Sequence, residues 1–181
     1  MKALPLGQVY HLLEPGPVTL LTTARKGRAN VMTMSWHMML EFEPPLIACV
    51  VSGNNYSFEA LRATGECVIA LPARKLAAKV VKIGNCSGAG VDKFAAFGLT
   101  PVAASQVKAP LIEECFANIE CRVIDRKMID RYNMFILEAV AAWRDPKQKN
   151  AKTFHHHGYG RFVADGRAFT LTSAKVPSPL L

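Results

Sequence analysis

Residues 28–36, RANVMTMSW, decide the fold class because their side chains alternate between two faces with a period of two. One face carries Asn30, Met32, Met34 and Trp36, and the other carries Ala29, Val31, Thr33 and Ser35. Neither face is strongly polar. The stretch therefore predicts a β-strand that is covered on both sides.

The segments on either side of this strand continue the β pattern. Residues 18–23 are rich in leucine and β-branched residues, and the turn-forming Arg25-Lys26-Gly27 follows them, which predicts a hairpin. Downstream, Pro44 and Pro45 introduce an apolar strand at 46–51, and turn residues at 52–55 end it.

Helices are predicted at two places. Ser57 is a candidate N-cap and Gly65 a candidate C-terminal stop for the first, and apolar residues recur at helical spacing over 74–83. Further strands are predicted at 66–72, 116–129 and 133–143. The elements do not alternate β-α-β, and neither GxGxxG nor GxxxxGK[ST] occurs, so we predict a mainly β barrel with helical insertions.

Length and composition indicate one domain, residues 1–181. Half of the 181 residues are hydrophobic, which is enough for a core without disulfides. The net charge of +8 favours an anionic partner, but the basic residues are scattered and do not interleave with aromatic ones, so nucleic acid is not predicted as a partner. We expect a cytoplasmic protein with no membrane partner, because the sequence has neither a secretory signal nor a long apolar run.

Cysteine and histidine patterns give no sign of a metal site. The five cysteines form no C-x-x-C pair, and Cys49 and Cys67 lie in apolar runs, so we expect buried, reduced thiols with Cys86 as the candidate for reactivity. The adjacent histidines at 155–157 cannot all point to one centre.

No catalytic acid, base or nucleophile stands out. The chain has no G-x-S-x-G and no H-E-x-x-H motif, and the pair Glu113-Glu114 is typical of a solvated surface. We therefore predict no catalytic side chains, and a cofactor that supplies the reactivity would explain their absence.

An ordered set of motifs resembles one known family. Its pieces are Asn30-Val31-Met32-Thr33-Met34-Ser35-Trp36, Glu43-Pro44-Pro45-Leu46-Ile47, Asn55-Tyr56-Ser57-Phe58, Thr64-Gly65-Glu66, Val91-Asp92-Lys93-Phe94 and Gly98-Leu99-Thr100-Pro101. In this order and spacing they resemble the flavin reductase-like family, in its flavoredoxin branch. The resemblance implies an FMN-binding split β-barrel with FMN at a homodimer interface.

The resemblance also implies the cofactor-binding residues. The flavin ring is expected along Asn30, Met32, Thr33, Met34, Ser35 and Trp36; the phosphate is expected near Ser52, Asn54, Asn55 and Ser57; and Ser87, Gly88 and Lys93 are expected to approach the cofactor from a glycine-rich loop. Plain core packing of the methionines, and a capping role for Ser57, remain alternatives. Relatives often carry an arginine where this chain has asparagines at 54 and 55. His156 and His37 are further candidates for ligand contact.

Two flavin-based functions are expected, and a third function that needs no flavin remains as an alternative. The first is a reductase in which NADH or NADPH passes a hydride to flavin N5. The second is an electron carrier that receives electrons from a redox partner protein, with the basic surface docking an acidic partner. The remote alternative is a barrel that binds nucleic acid, which the pI of 9.4 permits.

Overall fold

The computed structural model describes residues 1–13, 16–169 and 171. The predicted single domain, 1–181, extends over residues 14, 15, 170 and 172–181, which lie outside the described part. No helix among the described residues has the length and apolar character needed to cross a membrane.

Strands dominate the described chain. They are β1 (Lys2–Ala3), β2 (Thr19–Arg25), β3 (Arg28–Met34), β4 (His37–Glu41), β5 (Leu46–Val50), β6 (Glu66–Leu71), β7 (Pro101–Val102), β8 (Leu111–Ile112), β9 (Ala117–Asp125), β10 (Met134–Arg144), β11 (Phe154–His156) and β12 (Phe162–Ala164). The helices are α1 (Tyr10–Leu13), α2 (Tyr56–Thr64), α3 (Ala77–Gly84), α4 (Lys93–Ala96) and α5 (Ile129–Tyr132). Short 3₁₀ turns cover Leu6–Gln8, Arg74–Leu76 and Pro146–Gln148.

The main sheet is antiparallel and is split at one seam. Its order is β3-β2-β6-β9-β10-β5-β4, with β1 added to β10. The two end strands, β3 and β4, are consecutive in the chain, yet they do not pair with each other. The predicted mainly β split barrel is therefore confirmed.

Two apolar clusters cover the two faces of β3, as the sequence predicts. Met34 packs with Leu21, Ile47 and Phe135 inside the barrel. Val31, on the opposite face, packs beneath α3 and α4 with Val80, Ile83 and Phe94. Burial of apolar surface contributes roughly 25 cal/mol per Å² to the free energy of folding, so both clusters stabilise this strand.

Helix α2 begins two residues earlier than the capping prediction requires. Asn55 occupies the N-cap position, and Ser57 lies inside the helix with its hydroxyl hydrogen-bonded to Asn30, so the N-cap prediction for Ser57 is wrong. The predicted stop is confirmed, because Gly65 has the left-handed φ of 69° and its N–H bonds to the Leu61 carbonyl at 2.8 Å. The predicted helix over 74–83 is a 3₁₀ turn followed by α3.

Candidate functional site

A cavity of about 670 Å³ opens beside the tip of the β2–β3 hairpin. We call it the hairpin cavity. Three cations of the hairpin form one part of its wall, and we call them the hairpin cations: Arg25, Lys26 and Arg28. The start of α2 and the loop after α3 form the rest, and the wall also includes Asn30, Asn54, Asn55, Tyr56 and Ser87. Glu59 is also part of the wall. The volume lies within the range of about 300–1,000 Å³ typical of small-molecule sites.

The hairpin turn concentrates positive charge at this cavity. Lys26 and Gly27 form a two-residue turn with φ values of 51° and 76°, so Arg25 and Arg28 face each other across the strands. Like charges placed directly opposite are unfavourable in a sheet. A bound anion would remove that repulsion, so the arrangement favours a negatively charged ligand.

Arg28 is held in place by two neighbours. Its Nη2 donates to the Gly88 carbonyl at 2.8 Å, and its guanidinium lies 5.5 Å from the centre of the Tyr56 ring. A stacked, hydrogen-bonded guanidinium is oriented before any ligand arrives. Arg28 thereby joins the hairpin to α2 and to the loop after α3.

Asn30 and Ser57 form a buried polar pair next to the cavity. The Asn30 Nδ2 donates to the Ser57 Oγ at 2.8 Å, and the two residues are 6% and 1% exposed. Gly88 packs directly on the Asn30 carboxamide, since a Cβ at Gly88 would collide with it and would lie 2.8 Å from Tyr56 Cδ1. The loop thus needs glycine at this position.

A second cavity of about 380 Å³ lies past the end of β3. We call it the aromatic cavity, because Trp36, His156 and Phe162 contribute rings to its wall. The His156 and Phe162 ring centres are 5.0 Å apart. Thr33 and Ser35 of the β3 segment also line it, with Val80, Val81, Gly84 and Asn85 from α3 and its end. Thr33 is fixed there by the 2.7 Å hydrogen bond from its hydroxyl to the Val80 carbonyl.

The β11–β12 hairpin carries His156 and Phe162, and His155 anchors it. His155 Nε2 lies 2.9 Å from Asp165 Oδ1, and its Nδ1 lies 3.1 Å from the Gly16 carbonyl. Burial favours the neutral form of Asp165, but hydrogen bonds from Thr153 and His155 outweigh it and lower the pKa of this carboxyl. His155 therefore has a structural role, and within the described chain no cluster of three potential metal ligands occurs.

His37 lies close to the seam. Its Nε2 is 2.8 Å from the Pro17 carbonyl, which makes Nε2 the donor and leaves Nδ1 as an acceptor. Nδ1 is buried and has no hydrogen-bond partner within the described chain. Burial lowers the pKa of this imidazole, and the bond to Pro17 acts in the opposite direction.

The structure brings seven of the thirteen predicted cofactor residues to one of the two cavities. Asn30, Asn54, Asn55 and Ser87 line the hairpin cavity, and Thr33, Ser35 and Trp36 line the aromatic cavity. The remaining six lie elsewhere: Met34 in the barrel core with Met32 packed against it, Ser52 exposed beside the hairpin cavity, Ser57 beneath Asn30, Gly88 against Asn30, and Lys93 under the loop.

Lys93 requires a correction. We expected this residue to approach the cofactor from the glycine-rich loop, but it is 5% exposed and its Nζ donates to the Ile83 carbonyl at 2.9 Å. Burial lowers the pKa of this amine, and nearby Cys86 opposes that shift. Lys93 therefore joins α4 to the end of α3 and does not reach either cavity.

Sequence reasoning missed the three hairpin cations as site residues. Arg25, Lys26 and Arg28 are among the scattered basic residues of the sequence, and their position beside the start of α2 follows only from the tertiary fold. The available signal was the pair of arginines at opposite ends of a two-residue turn. Phe162 was also missed, because β11 and β12 are three residues each.

The split barrel, with a cationic cavity and an aromatic cavity around one edge strand, defines a class of cofactor-binding β-barrel. The chain belongs to the flavin reductase like domain family, whose profile matches residues 12–162. It has the FMN-binding fold of that family.

Solved structures and a curated relative agree with this assignment. An FMN-binding domain of a flavin reductases-like enzyme from Shewanella baltica OS155 is 25% identical, with a TM-score of 0.89, over 94% of this chain and 97% of that one. The flavoredoxin of Desulfovibrio vulgaris (Miyazaki F) is 26% identical, with a TM-score of 0.77, over 88% and 91%. The protein YddH of Escherichia coli (strain K12) is 31% identical over 91% of this chain and 95% of its own.

Proposed function

We propose that the protein is an FMN-dependent oxidoreductase that takes its electrons from NADH or NADPH. The observation that carries this proposal is the hairpin cavity, where Arg25 and Arg28 face each other across a tight turn next to Asn54 and Asn55. A phosphate at this position would receive charge-assisted hydrogen bonds from both arginines. The hairpin would then supply the cations that the loop at 52–57 lacks.

The two cavities match the two ends of a phosphorylated flavin. Asn30 lines one cavity and Ser35 the other, and five strand residues span about 16 Å. The loop after α3 contributes to both cavities through Asn85 and Ser87. The aromatic cavity offers Trp36 and Phe162 to a flat apolar ring, and Ser35 and Asn85 to its polar edge.

The ligand is expected to cross the open edge of β3. Asn30 and Thr33 lie on opposite faces of β3, so a molecule that reaches both cavities must pass around that edge. Within the described residues β3 pairs with β2 on one side only, which leaves this edge open. Backbone groups along the edge are available to hydrogen-bond the ring and the ribityl chain.

Bound FMN would accept a hydride from a reduced nicotinamide at N5 and pass the electrons to an acceptor. The side chains of this chain need only bind and orient the two molecules. Thr33 and Val80 fix the wall of the aromatic cavity through their hydrogen bond, and Arg28 holds the loop after α3 through Gly88.

The phosphate assignment is tested by comparing FMN with riboflavin, which has the same ring without the phosphate. In Arg25→Gln/Arg28→Gln we expect the FMN dissociation constant to rise by on the order of 100-fold or more, because two hydrogen bonds to charged groups are lost and each contributes about 1.5–3 kcal/mol. Riboflavin affinity should fall far less, through the loss of the Arg28–Gly88 hydrogen bond alone. Lys127→Gln/Arg131→Gln, which removes two charges at exposed positions elsewhere, is the matched control. If the affinities for FMN and riboflavin fell by the same factor, the phosphate would not bind in the hairpin cavity.

Electron transfer is tested on the FMN-loaded protein without oxygen. If the nicotinamide is the electron donor, mixing with NADH or NADPH should bleach essentially all of the visible absorbance of the oxidised flavin. A flavin that stays yellow with both nucleotides would identify an electron carrier instead. A preparation that takes up no FMN would contradict both the reductase and the electron-carrier function.

We also propose that the active form is a homodimer assembled on β4. Met38 and Leu40 are 56% and 42% exposed and share one face of this edge strand, and Trp36, which is 71% exposed, lies directly before it. Such an apolar stripe beside a binding cavity is typical of an interface, and a second copy would cover Trp36 at the aromatic cavity. Sedimentation of wild type and Met38→Glu/Leu40→Glu tests it: a monomeric wild type, or a dimer that the variant keeps, would contradict it.

A further inference from the structure

A separate groove of about 790 Å³ lies between residues 73–75, after β6, and residues 146–152, after β10. We call it the basic groove, because five cations line it: Arg74, Lys75, Lys147, Lys149 and Lys152. Of the described residues that line it, none is acidic. Its composition therefore differs from that of the hairpin cavity, where Glu59 is part of the wall.

Within the described part of the chain, no ion pair neutralises the positive charge of the basic groove, and Asp145 offsets it in part through its coulombic interaction with Lys147. All five cationic residues are exposed, and the two ion pairs formed within the described ranges, Arg62–Asp130 and His155–Asp165, use none of them. The neighbouring carboxylate of Asp145 accepts from the Lys147 N–H and from Gln148 Nε2, both at 2.9 Å. Clustered like charges repel one another, and a bound anion would relieve that repulsion.

The backbone of the basic groove is fixed while its charged ends are free to move. The Arg74 N–H donates to the Lys152 carbonyl at 2.8 Å, which ties one wall to the other. The Arg144 guanidinium donates to the Lys149 carbonyl at 3.0 Å and holds the loop at 146–152. The lysine ammonium groups can therefore close on an anion without a change in the fold.

The basic groove is also near the aromatic cavity. Lys75 precedes α3, whose Val80 lines that cavity, and five helical residues rise about 8 Å. Lys152 precedes β11, whose His156 lines it, and four extended residues span at most about 13 Å. A nucleotide with a ring at one end and phosphates at the other has the shape to connect the two places.

We propose that the basic groove binds the phosphate groups of a nucleotide. Its volume is that of a small-molecule site, and its ten lining residues are fewer than the roughly 20–30 that a protein interface uses on each side. No aromatic side chain occurs among the described residues lining it, so recognition depends on charge and not on stacking of a base. Two sources share this chemistry: a free nucleotide, and the phosphorylated adenosine end of NADPH, the latter resting on the proposed function.

The first experiment titrates inorganic pyrophosphate into FMN-saturated protein at low salt and measures the heat of binding. We expect saturable binding by the wild type, and an affinity lower by on the order of 100-fold in Lys75→Glu/Lys149→Glu, where two charge-assisted contacts are reversed. Lys108→Glu/Lys127→Glu changes the net charge equally at exposed positions elsewhere and should bind within about twofold of wild type. No heat with the wild type, or equal loss in both variants, would overturn the proposal.

Further arms separate the two sources from each other and from a protein ligand. If KM rises for NADPH but not for NADH in Lys75→Glu/Lys149→Glu, the dinucleotide is the source of the phosphate groups. Unchanged KM values, with pyrophosphate binding lost, identify a free nucleotide. If a poly-glutamate peptide binds and pyrophosphate does not, the groove docks an acidic protein and the proposal is wrong.

The outcome is independent of the flavin proposal. If the protein fails to take up FMN, the titration is repeated in Arg25→Gln/Arg28→Gln, where the competing hairpin cations are gone. Pyrophosphate binding that persists there supports the basic groove although the flavin proposal has failed. Its absence there overturns the basic groove proposal.

Discussion

Glu120 on β9 and Asn30 on β3 are both polar side chains buried in the same sheet, and they differ in how completely their atoms are bonded. The Glu120 carboxylate, at 0% exposure, accepts five hydrogen bonds: from the Ser105 N–H and hydroxyl, from the Gln106 and Val107 N–H groups, and from Trp143 Nε1. Asn30 donates one bond to Ser57 and presents the rest of its carboxamide to Gly88 and the hairpin cavity.

The comparison teaches that burial of a polar group does not by itself mark a functional site. A fully bonded carboxylate such as Glu120 fixes the loop at 103–110 onto the barrel, and it has no capacity left for a ligand. A partly bonded amide at a cavity wall, such as Asn30, keeps that capacity. We therefore expect changes at Glu120 to affect folding, and changes around Asn30 to affect FMN.

The largest expected effect is that of Glu120→Gln. The substitution replaces one acceptor oxygen by an NH₂ group, which faces N–H donors in either orientation of the amide, so the free energy of unfolding should fall by about 3 kcal/mol. Urea unfolding followed by circular dichroism measures the change. The folded fraction should bind FMN as tightly as wild type.

Glu113→Gln is the control for this prediction, because the Glu113 side chain is exposed. Its effect should stay within about 0.5 kcal/mol. If Glu120→Gln were no more destabilising than this control, the five hydrogen bonds of Glu120 would not hold the loop.

A smaller effect is expected from Gly88→Ala. The new Cβ meets the Asn30 carboxamide and the Tyr56 ring, so the loop must move away from the hairpin cavity and the Arg28–Gly88 hydrogen bond is lost. We expect FMN affinity to fall about tenfold, which is about 1.4 kcal/mol. Fluorescence quenching of added FMN measures it.

Gly90→Ala provides the matched control, since a Cβ at Gly90 has nothing within 4 Å. It should leave FMN affinity unchanged. Equal losses in the two variants would mean that loop flexibility, and not contact with Asn30, governs binding.

The smallest effect concerns acid stability. Burial favours the neutral form of Glu120, but hydrogen bonds from Ser105, Trp143 and Gln106 outweigh it and hold the pKa below the ordinary value of 4.5. The native carboxyl therefore binds protons less readily than the unfolded one, so its contribution is present above pH 4.5 and is lost as pH falls through the native pKa.

Urea midpoints measured from pH 6 down to about pH 3 test this sign. The wild-type midpoint should fall more steeply with acid than that of Glu120→Gln, which has no carboxyl to titrate. Parallel curves would contradict the assignment.

Much of the barrel could be predicted because its strands carry local signals. The predicted strands at 18–23, 46–51 and 66–72 appear as β2, β5 and β6 with small changes at their ends. Strand β4 was missed, because HMMLE is short, has one face exposed and is a strand through its pairing with β5. Helix α4 was missed as well; its Asp92 cap is a local signal, but four residues are too few for helical periodicity.

The candidate site was only partly predictable, because it is assembled from distant segments. Asn54 and Asn55 lie at a strand end, which local reasoning can identify. The approach of Arg28 to Tyr56 and Gly88 depends on how the hairpin packs against α2 and the loop after α3. Lys93 shows the opposite error, because it was predicted to approach the cofactor. A lysine in a polar loop gave no sign that its side chain would be buried and hydrogen-bonded to the Ile83 carbonyl.

The distribution of the cysteines gives this protein a native chemical reporter. Cys49, Cys67, Cys115 and Cys121 are buried, whereas Cys86 is partly exposed between the segments that line the two cavities. A small alkylating reagent should therefore modify one thiol in the folded state, and a molecule lodged across the β3 edge should slow that labelling. Timed alkylation read by mass spectrometry would thus follow occupancy in the unaltered polypeptide, with no engineered probe.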